Sequence, residues 1–435
     1  MLKGSYSAKM VWYRKNTVKT IAVIAELNPL HHGHAWLLRQ IRKVSQDRSA
    51  IIIILPEFFS QRGVPNLLPS WVRTRTALEA GADLILSLPE IYALSSAEGF
   101  AAGAVKCLHS TGIVQQIACG AENPNLDELQ QISTLLSNES PTYKELLQVG
   151  IKSGMGFPAA REYAVAEITG DYKLASLLQK PNNILAIEYL KALKADSADS
   201  NIELRTFPRK DEISSSAIRQ ILTDLLIEDC QFPCFNIDTS PLHIITHKLE
   251  KRMPSYSLAK ILAAIQNNSG LLLFNQLKND VFFALGQQTA ESITAIAHMQ
   301  QGLGLRLLNI ISQPDIMDAD LPRLIQAAAS RSHPAARVRR AVISLLLGLT
   351  SSDLEELTEP KYIKVLGFNK TGRYLLRLMQ KYSSLPIISL ASEYAGLDCI
   401  LAQRQAEISL TAAKFWLKST NQSINRYYEQ KPVLL

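Results

Sequence analysis

The chain has 435 residues, 47% of them hydrophobic and 20% charged, with 20 Gly and 19 Pro. That balance allows a large buried core and excludes a disordered, collagenous or disulfide-scaffold protein. The 46 Lys and Arg against 39 Asp and Glu leave a formal charge of +7, a mild basic excess compatible with a polyanionic partner.

Residues 1–17 read as a flexible extension, because they carry scattered basic residues and no apolar stretch of a secretory signal. Thr20–Ala25 is a short apolar strand and Gly33–Val44 an amphipathic helix. Ala50–Leu55 is a continuous β-branched run, the pattern of a strand buried on both faces. Ser70–Gly81 follows as a helix, Asp83–Leu88 as a strand stopped by Pro89, Glu98–Ser110 as a helix and Gln116–Cys119 as a strand. Such alternation predicts an α/β fold over residues 18–220, a Rossmann-like domain with a parallel sheet. The Asp196–Asn201 stretch reads as a polar loop within it.

Residues 221–435 read as a second, mostly α-helical domain. Its expected helices are Leu222–Glu228, Ser240–Leu249, Ser257–Gln266, Ala290–Gln300, Leu321–Ala329, Ala336–Leu347 and Gly372–Lys381. Strands are expected near Lys361–Leu366 and Leu385–Leu390. No apolar run reaches the roughly 18–20 residues of a spanning helix, so no membrane is expected. The five cysteines are odd in number and irregularly spaced, with only Cys230 and Cys234 close together. They read as thiols of a reducing, cytoplasmic compartment. His243 and His247 lie four apart without a third ligand nearby, so no protein-held metal is expected.

The chemistry concentrates where the first strand meets the first helix, at Asn28-Pro29-Leu30-His31-His32-Gly33-His34. Ligands of open α/β sheets bind at such carboxyl ends. Gly33 permits a close turn under a phosphate, the helix start offers N–H groups, and His31 and His34 can donate to phosphate oxygens. A second element, Ser214-Ser215-Ser216-Ala217-Ile218-Arg219, sets hydroxyls and a guanidinium at another helix start, suited to outer phosphates. Together they resemble the signature of the nucleotidyltransferase superfamily with an HIGH-like motif. An adenylyltransferase of a phosphorylated cofactor precursor, or an RNA-binding relative without catalysis, would share both motifs. Arg62, in Gln61-Arg62-Gly63 after the second strand, is a further candidate clamp for a phosphate or carboxylate.

Ala25-Glu26-Leu27-Asn28-Pro29-Leu30-His31-His32-Gly33-His34 resembles the V-E-Y-N-P-F-H-x-G-H of the bacterial tRNA(Met) cytidine acetate ligase family. Further blocks follow in order: Gln61–Pro65, Trp71–Arg73, Gly81–Leu84, Ala97–Ala101, Cys119–Glu122 and Pro181–Tyr189, the last close to P-N-N-I-L-x-I-E-Y. Arg337–Arg340, Leu345–Leu349 and Tyr362–Phe368 continue the resemblance, which spans about residues 20–380.

The resemblance implies a ligase that activates acetate with ATP as acetyl-adenylate and acetylates N4 of the wobble cytidine of elongator tRNA(Met). His31, His34 and Arg219 would be catalytic, with Mg²⁺ beside ATP. ATP would be bound by Ala25, Glu26, Leu27, Asn28, Pro29, Leu30, His31, His32, Gly33, His34, Leu37, Gly120, Asn182, Asn183, Arg205, Ser216 and Arg219. Arg331, Arg337, Arg339, Arg340 and Lys364 would bind tRNA, with Arg337 and Arg340 on one helix face and Arg339 on another. The chain departs from the family at Pro56-Glu57-Phe58-Phe59, where Ser-Gly-Asn-Phe is usual. It also has Ser70 in place of Lys, Ser87 in place of Glu, and Ala329–Pro334 in place of K-x-K-R-[YF]-T. Glu57 is expected to set an anion close to anionic substrates.

Overall fold

The computed structural model describes residues 18–46, 48–195, 201–209, 214–228, 241–317 and 319–435. The expected extension over residues 1–17, most of the polar loop at 196–201, Cys230 and Cys234 lie outside them.

Strands β1 (Lys19–Ile24), β2 (Ser49–Pro56), β3 (Leu84–Leu88), β4 (Gln116–Ala121) and β5 (Glu203–Pro208) pair in parallel, in the order β5-β4-β1-β2-β3. The β-branched run of β2 is buried along its whole length because both faces are covered. Ile52 and Ile54 join one core, while Ile51, Ile53 and Leu55 join another on the opposite face. That second core is closed by Leu38 and Ile41 of helix α1 (His32–Val44) and by Ala77 and Leu78 of helix α2 (Ser70–Glu79).

The sheet does not stop at residue 220. Strand β6 (Ile363–Phe368) pairs antiparallel with β3, and β7 (Ile387–Ile388) and β8 (Val433–Leu434) pair parallel with β6. The core on the Ile52 and Ile54 side continues through Leu307, Leu324, Val342 and Trp416, so the helical half closes one face of the sheet. A smaller core packs Leu67 and Leu68 against Ile218, Leu222, Ile245 and Leu258.

One expected helix differs from the structure, and several helices lie where none was expected, among them Leu126–Ser137, Pro141–Lys152 and Ile400–Ser419. Over Ala290–Gln300 only Ser292–Ala295 is helical. The chain then turns, with positive φ at His298 and Gln301, because the Ala297 N–H bonds the Leu349 carbonyl. Helix Ile400–Ser419 had no counterpart among the expected elements. Its buried face is built largely of Ala402, Gln405, Ala406, Ser409, Ala412 and Ala413, too small or polar to give an apolar period.

Candidate active site

A cavity of about 240 Å³ opens at the carboxyl ends of β1 and β4. This is where the strand order reverses, the place an open α/β sheet leaves a crevice. Helix α1, helix α3 (Pro181–Ala195) and helix α4 (Ser215–Glu228) bring Gly33, Asn182 and Ser216 of their first turns to its wall. Their N-terminal ends favour an anion there.

The histidine turn is held from several sides. Asn28 is buried, donating from Nδ2 to the Pro65 carbonyl at 3.2 Å and accepting from the Leu67 N–H at 2.7 Å. Ser257 Oγ donates to the Leu30 carbonyl and the His32 N–H to the Arg252 carbonyl. His31 caps α1: its Nδ1 accepts the Gly33 N–H at 3.0 Å, while His34 Nδ1 accepts the His31 N–H at 3.3 Å. The two rings lie 3.9 Å apart. With both Nδ1 atoms accepting, each neutral ring carries its proton on Nε2, a tautomer assigned from this network. Both side chains line the cavity, so they bring it two neutral donors.

Burial, helped by the charges of Arg209 and His32, pulls the His31 pKa from 6.5 down to about 4. Burial, with His31 and Arg209, also holds His34 well below its ordinary value. Between pH 4 and 6.5 the unfolded chain therefore binds a proton that folded His31 refuses. The His31 contribution to stability is complete above pH 6.5 and is lost as pH falls toward 4, by about 3 kcal/mol in full. The ¹⁵N and ¹³C shifts of the His31 ring are expected to stay at their neutral values from pH 8 to 5.5. A midpoint near 6.5 would refute the buried, N-cap geometry.

The cavity is also lined by three arginines, Arg62, Arg209 and Arg219. Arg219 donates to the Asn28 carbonyl at 2.6 Å and to Ser216 Oγ at 3.1 Å. Burial lowers its pKa only to about 10, so it stays charged at neutral pH. Arg62 reaches the same Ser216 Oγ at 3.0 Å. Glu26 accepts the Gln61 N–H at 2.6 Å, tying the loop after β2 to the end of β1. Arg73, fully buried, crosses beneath with donations to the Leu68, Glu26, Pro56 and Glu57 carbonyls. Glu122 accepts the Asn182 and Asn183 N–H groups at the start of α3 and pairs with Arg209 at 3.7 Å. Phe100, Leu185, Tyr189 and Cys119 form an apolar side.

Of the residues expected at ATP, the cavity is lined by Ala25, Glu26, Leu27, His31, Gly33, His34, Leu37, Gly120, Asn182, Ser216 and Arg219. Asn28, Pro29, Leu30 and His32 shape the turn from outside the lining. Asn183 is buried, its Oδ1 accepting the Asn123 N–H. Arg205 sits with Phe207 beside a separate small cavity, its guanidinium 5.5 Å from that ring. Residues two apart on a strand share a face, so Arg205 stays with Phe207, and the main cavity is lined, besides Arg62 and Arg219, by Arg209, past the end of β5. Its only trace in the sequence is a basic residue just after a strand.

The basic cluster is arranged differently from the helical-face expectation. Arg339 Nε donates to the Arg62 carbonyl at 2.9 Å and Arg340 to the Gln61 carbonyl at 3.1 Å, while Arg337 turns to the His298 and Gln300 carbonyls. Arg331 is exposed and donates to the Gly154 carbonyl. Lys364 is buried, its ammonium 3.0 Å from Glu57, and so it does not face solvent where a phosphate could meet it. The Glu57 carboxylate is correspondingly away from the cleft. It also takes hydrogen bonds from Ser70, Ser87 and Tyr427, so three departures from the family pattern meet in one buried cluster.

The sequence matches the HIGH Nucleotidyl Transferase family over residues 18–431. It is 32% identical over 385 residues to the tRNA(Met) cytidine acetate ligase of Thermoanaerobacter sp. (strain X514), covering 86% of this chain and 89% of that one. The enzyme of the same name from Acetivibrio thermocellus is 30% identical over 404 residues, covering 92% and 95%. The crystal structure of Thermotoga maritima TmcAL bound with alpha-thio ATP superposes with a TM-score of 0.84 at 25% identity, covering 96% of this chain and 99% of that one.

Proposed function

Because the chain belongs to the HIGH nucleotidyl transferase family, among the tRNA(Met) cytidine acetate ligases, we propose that it activates acetate with ATP and transfers the acetyl group to a tRNA(Met) cytidine. The observation that carries this reading is the convergence of two neutral imidazole donors, Arg219 and Ser216 on one cavity at the strand-order reversal.

A carboxylate oxygen of acetate attacks the α-phosphorus of ATP and pyrophosphate leaves. His31 and His34 donate from Nε2 to phosphate oxygens as charge builds, and Arg219 with Arg62 and Ser216 holds the leaving end. The N4 amine of the wobble cytidine of elongator tRNA(Met) then attacks the acyl carbon, AMP departs and the amine loses a proton. Mg²⁺ would neutralise phosphate charge. No group of three His, Cys, Asp or Glu among the described residues could hold a metal ion, so it would arrive on the triphosphate, with Glu26 as its carboxylate neighbour in the cavity.

Residues 18–220 would carry adenylation, and 221–435 would supply tRNA contacts. Arg331 is the best placed of the expected ones, being exposed and keeping donors beyond the one to Gly154. No helix among the described residues is long and apolar enough to cross a membrane.

The test is ATP–pyrophosphate exchange. It should require acetate and proceed without tRNA, and N4-acetylcytidine should form on tRNA with release of AMP. Exchange that ignores acetate but needs a phosphorylated cofactor precursor would point to the adenylyltransferase alternative. RNA binding with no exchange at all would point to a relative without catalysis.

A further inference from the structure

We propose that Arg339 and Arg340, two basic residues of the helical half, are positioning residues for the adenylation step, acting through the Gln61–Gly63 loop. The inference rests on the ligase reading and adds to it a role for this cluster in the first half-reaction.

Both guanidiniums end on carbonyls of that loop, at Arg62 and Gln61. Arg340 is 9% exposed and its bond to the loop is partly buried, whereas the Arg339 bond lies at the surface. The loop rests directly on the helix that carries them, Ala335–Leu347. Gly63 has φ +69° and a Cβ there would lie 2.6 Å from the Arg339 carbonyl carbon, so backbone meets backbone with no room for a side chain. From the same residues the loop reaches the cavity. The Gln61 N–H bonds the Glu26 carboxylate at 2.6 Å, and the Arg62 side chain bonds Ser216 Oγ, which Arg219 also holds. A chain of direct contacts thus runs from the helical half to Glu26 and Ser216 on the cavity wall. Holding a catalytic loop in place is worth a large rate factor, because small misplacements of reacting groups are costly.

Two measurements test this. One is the affinity for α,β-methylene-ATP by calorimetry, and the other is kcat and KM for acetate-dependent exchange without tRNA. Arg339→Met and Arg340→Met should each weaken analogue binding and lower exchange by about tenfold, with KM for acetate unchanged and the melting temperature close to the parent's. Arg340→Lys, which keeps a donor for the Gln61 carbonyl, should recover most of the loss. Arg339→Met combined with Ser216→Ala should cost much less than the sum of the two, because Arg339 acts through Arg62 on Ser216. Parent-like analogue binding and exchange in folded Arg339→Met and Arg340→Met would overturn the proposal. So would strictly additive losses, which would mark Arg339 as an independent phosphate contact. A parent that binds the analogue but shows no acetate-dependent exchange would remove the ligase reading, and the positioning role would then be decided by the affinities alone.

Discussion

His34→Ala is expected to lower adenylate formation by about 10²–10³-fold, the loss seen when one preorganised donor to a developing negative charge is removed. The side chain has two jobs on its two nitrogens. Nδ1 accepts the His31 N–H and closes the cap of α1, and Nε2 is the donor left for the cavity. Alanine removes both, and losing the cap should cost about 1 kcal/mol of stability. His34→Gln separates the two jobs. A glutamine at the third helical position can accept the N-cap N–H as in an ordinary capping box, so its urea midpoint should stay near the parent's. Its exchange rate should still fall. Normal exchange in a folded His34→Ala protein would remove this ring from the chemistry.

Lys364→Met is expected to cost about 3–5 kcal/mol, the penalty for leaving a buried carboxylate without its cation. Glu57 and Lys364 are both nearly inaccessible, and the ammonium contacts both carboxylate oxygens, at 3.0 and 3.1 Å. It also lies 4.1 Å from the centre of the Tyr427 ring. Burial lowers the Lys364 pKa while the Glu57 charge opposes the shift. The double variant Glu57→Gln/Lys364→Met should recover much of the loss, since it leaves no unpaired charge inside. Urea unfolding reads both, and a parent-like midpoint for Lys364→Met would show that the pair contributes nothing. The same protein tests the tRNA expectation. If the Lys364 ammonium met a tRNA phosphate, its removal would reduce the log–log salt slope of tRNA binding by about 0.7–0.9, whereas the buried pair predicts no change.

What could be read from the sequence is what local pattern encodes. The AIIIIL run of β2 is apolar at every position because both faces are covered, and the same residues say so before any fold is known. The turn from Asn28 to His34 is equally local. A glycine, three histidines and a helix start lie within seven residues, and the structure brings His31, Gly33 and His34 together on the cavity wall. Arginine side chains are another matter, because a sequence reports their charge and not the carbonyl that each will face. Arg339 meets Arg62 across 277 positions and Lys364 meets Glu57 across 307. Only the folded chain decides that one props a loop and the other lies inside. Arg205 and Arg209 show the same limit over four residues: alternation alone would set them on one face, and it is the end of β5 at Pro208 that frees Arg209 to line the main cavity while Arg205 stays beside the small one. Helix Ile400–Ser419 stayed hidden because alanine, serine and glutamine make up most of its buried face, beside Ile408, Trp416 and Leu417, and small or polar side chains blur the apolar period. Local periodicity is written in neighbouring residues. The partner of a long, charged side chain is set by which backbone the packing of distant elements brings within reach.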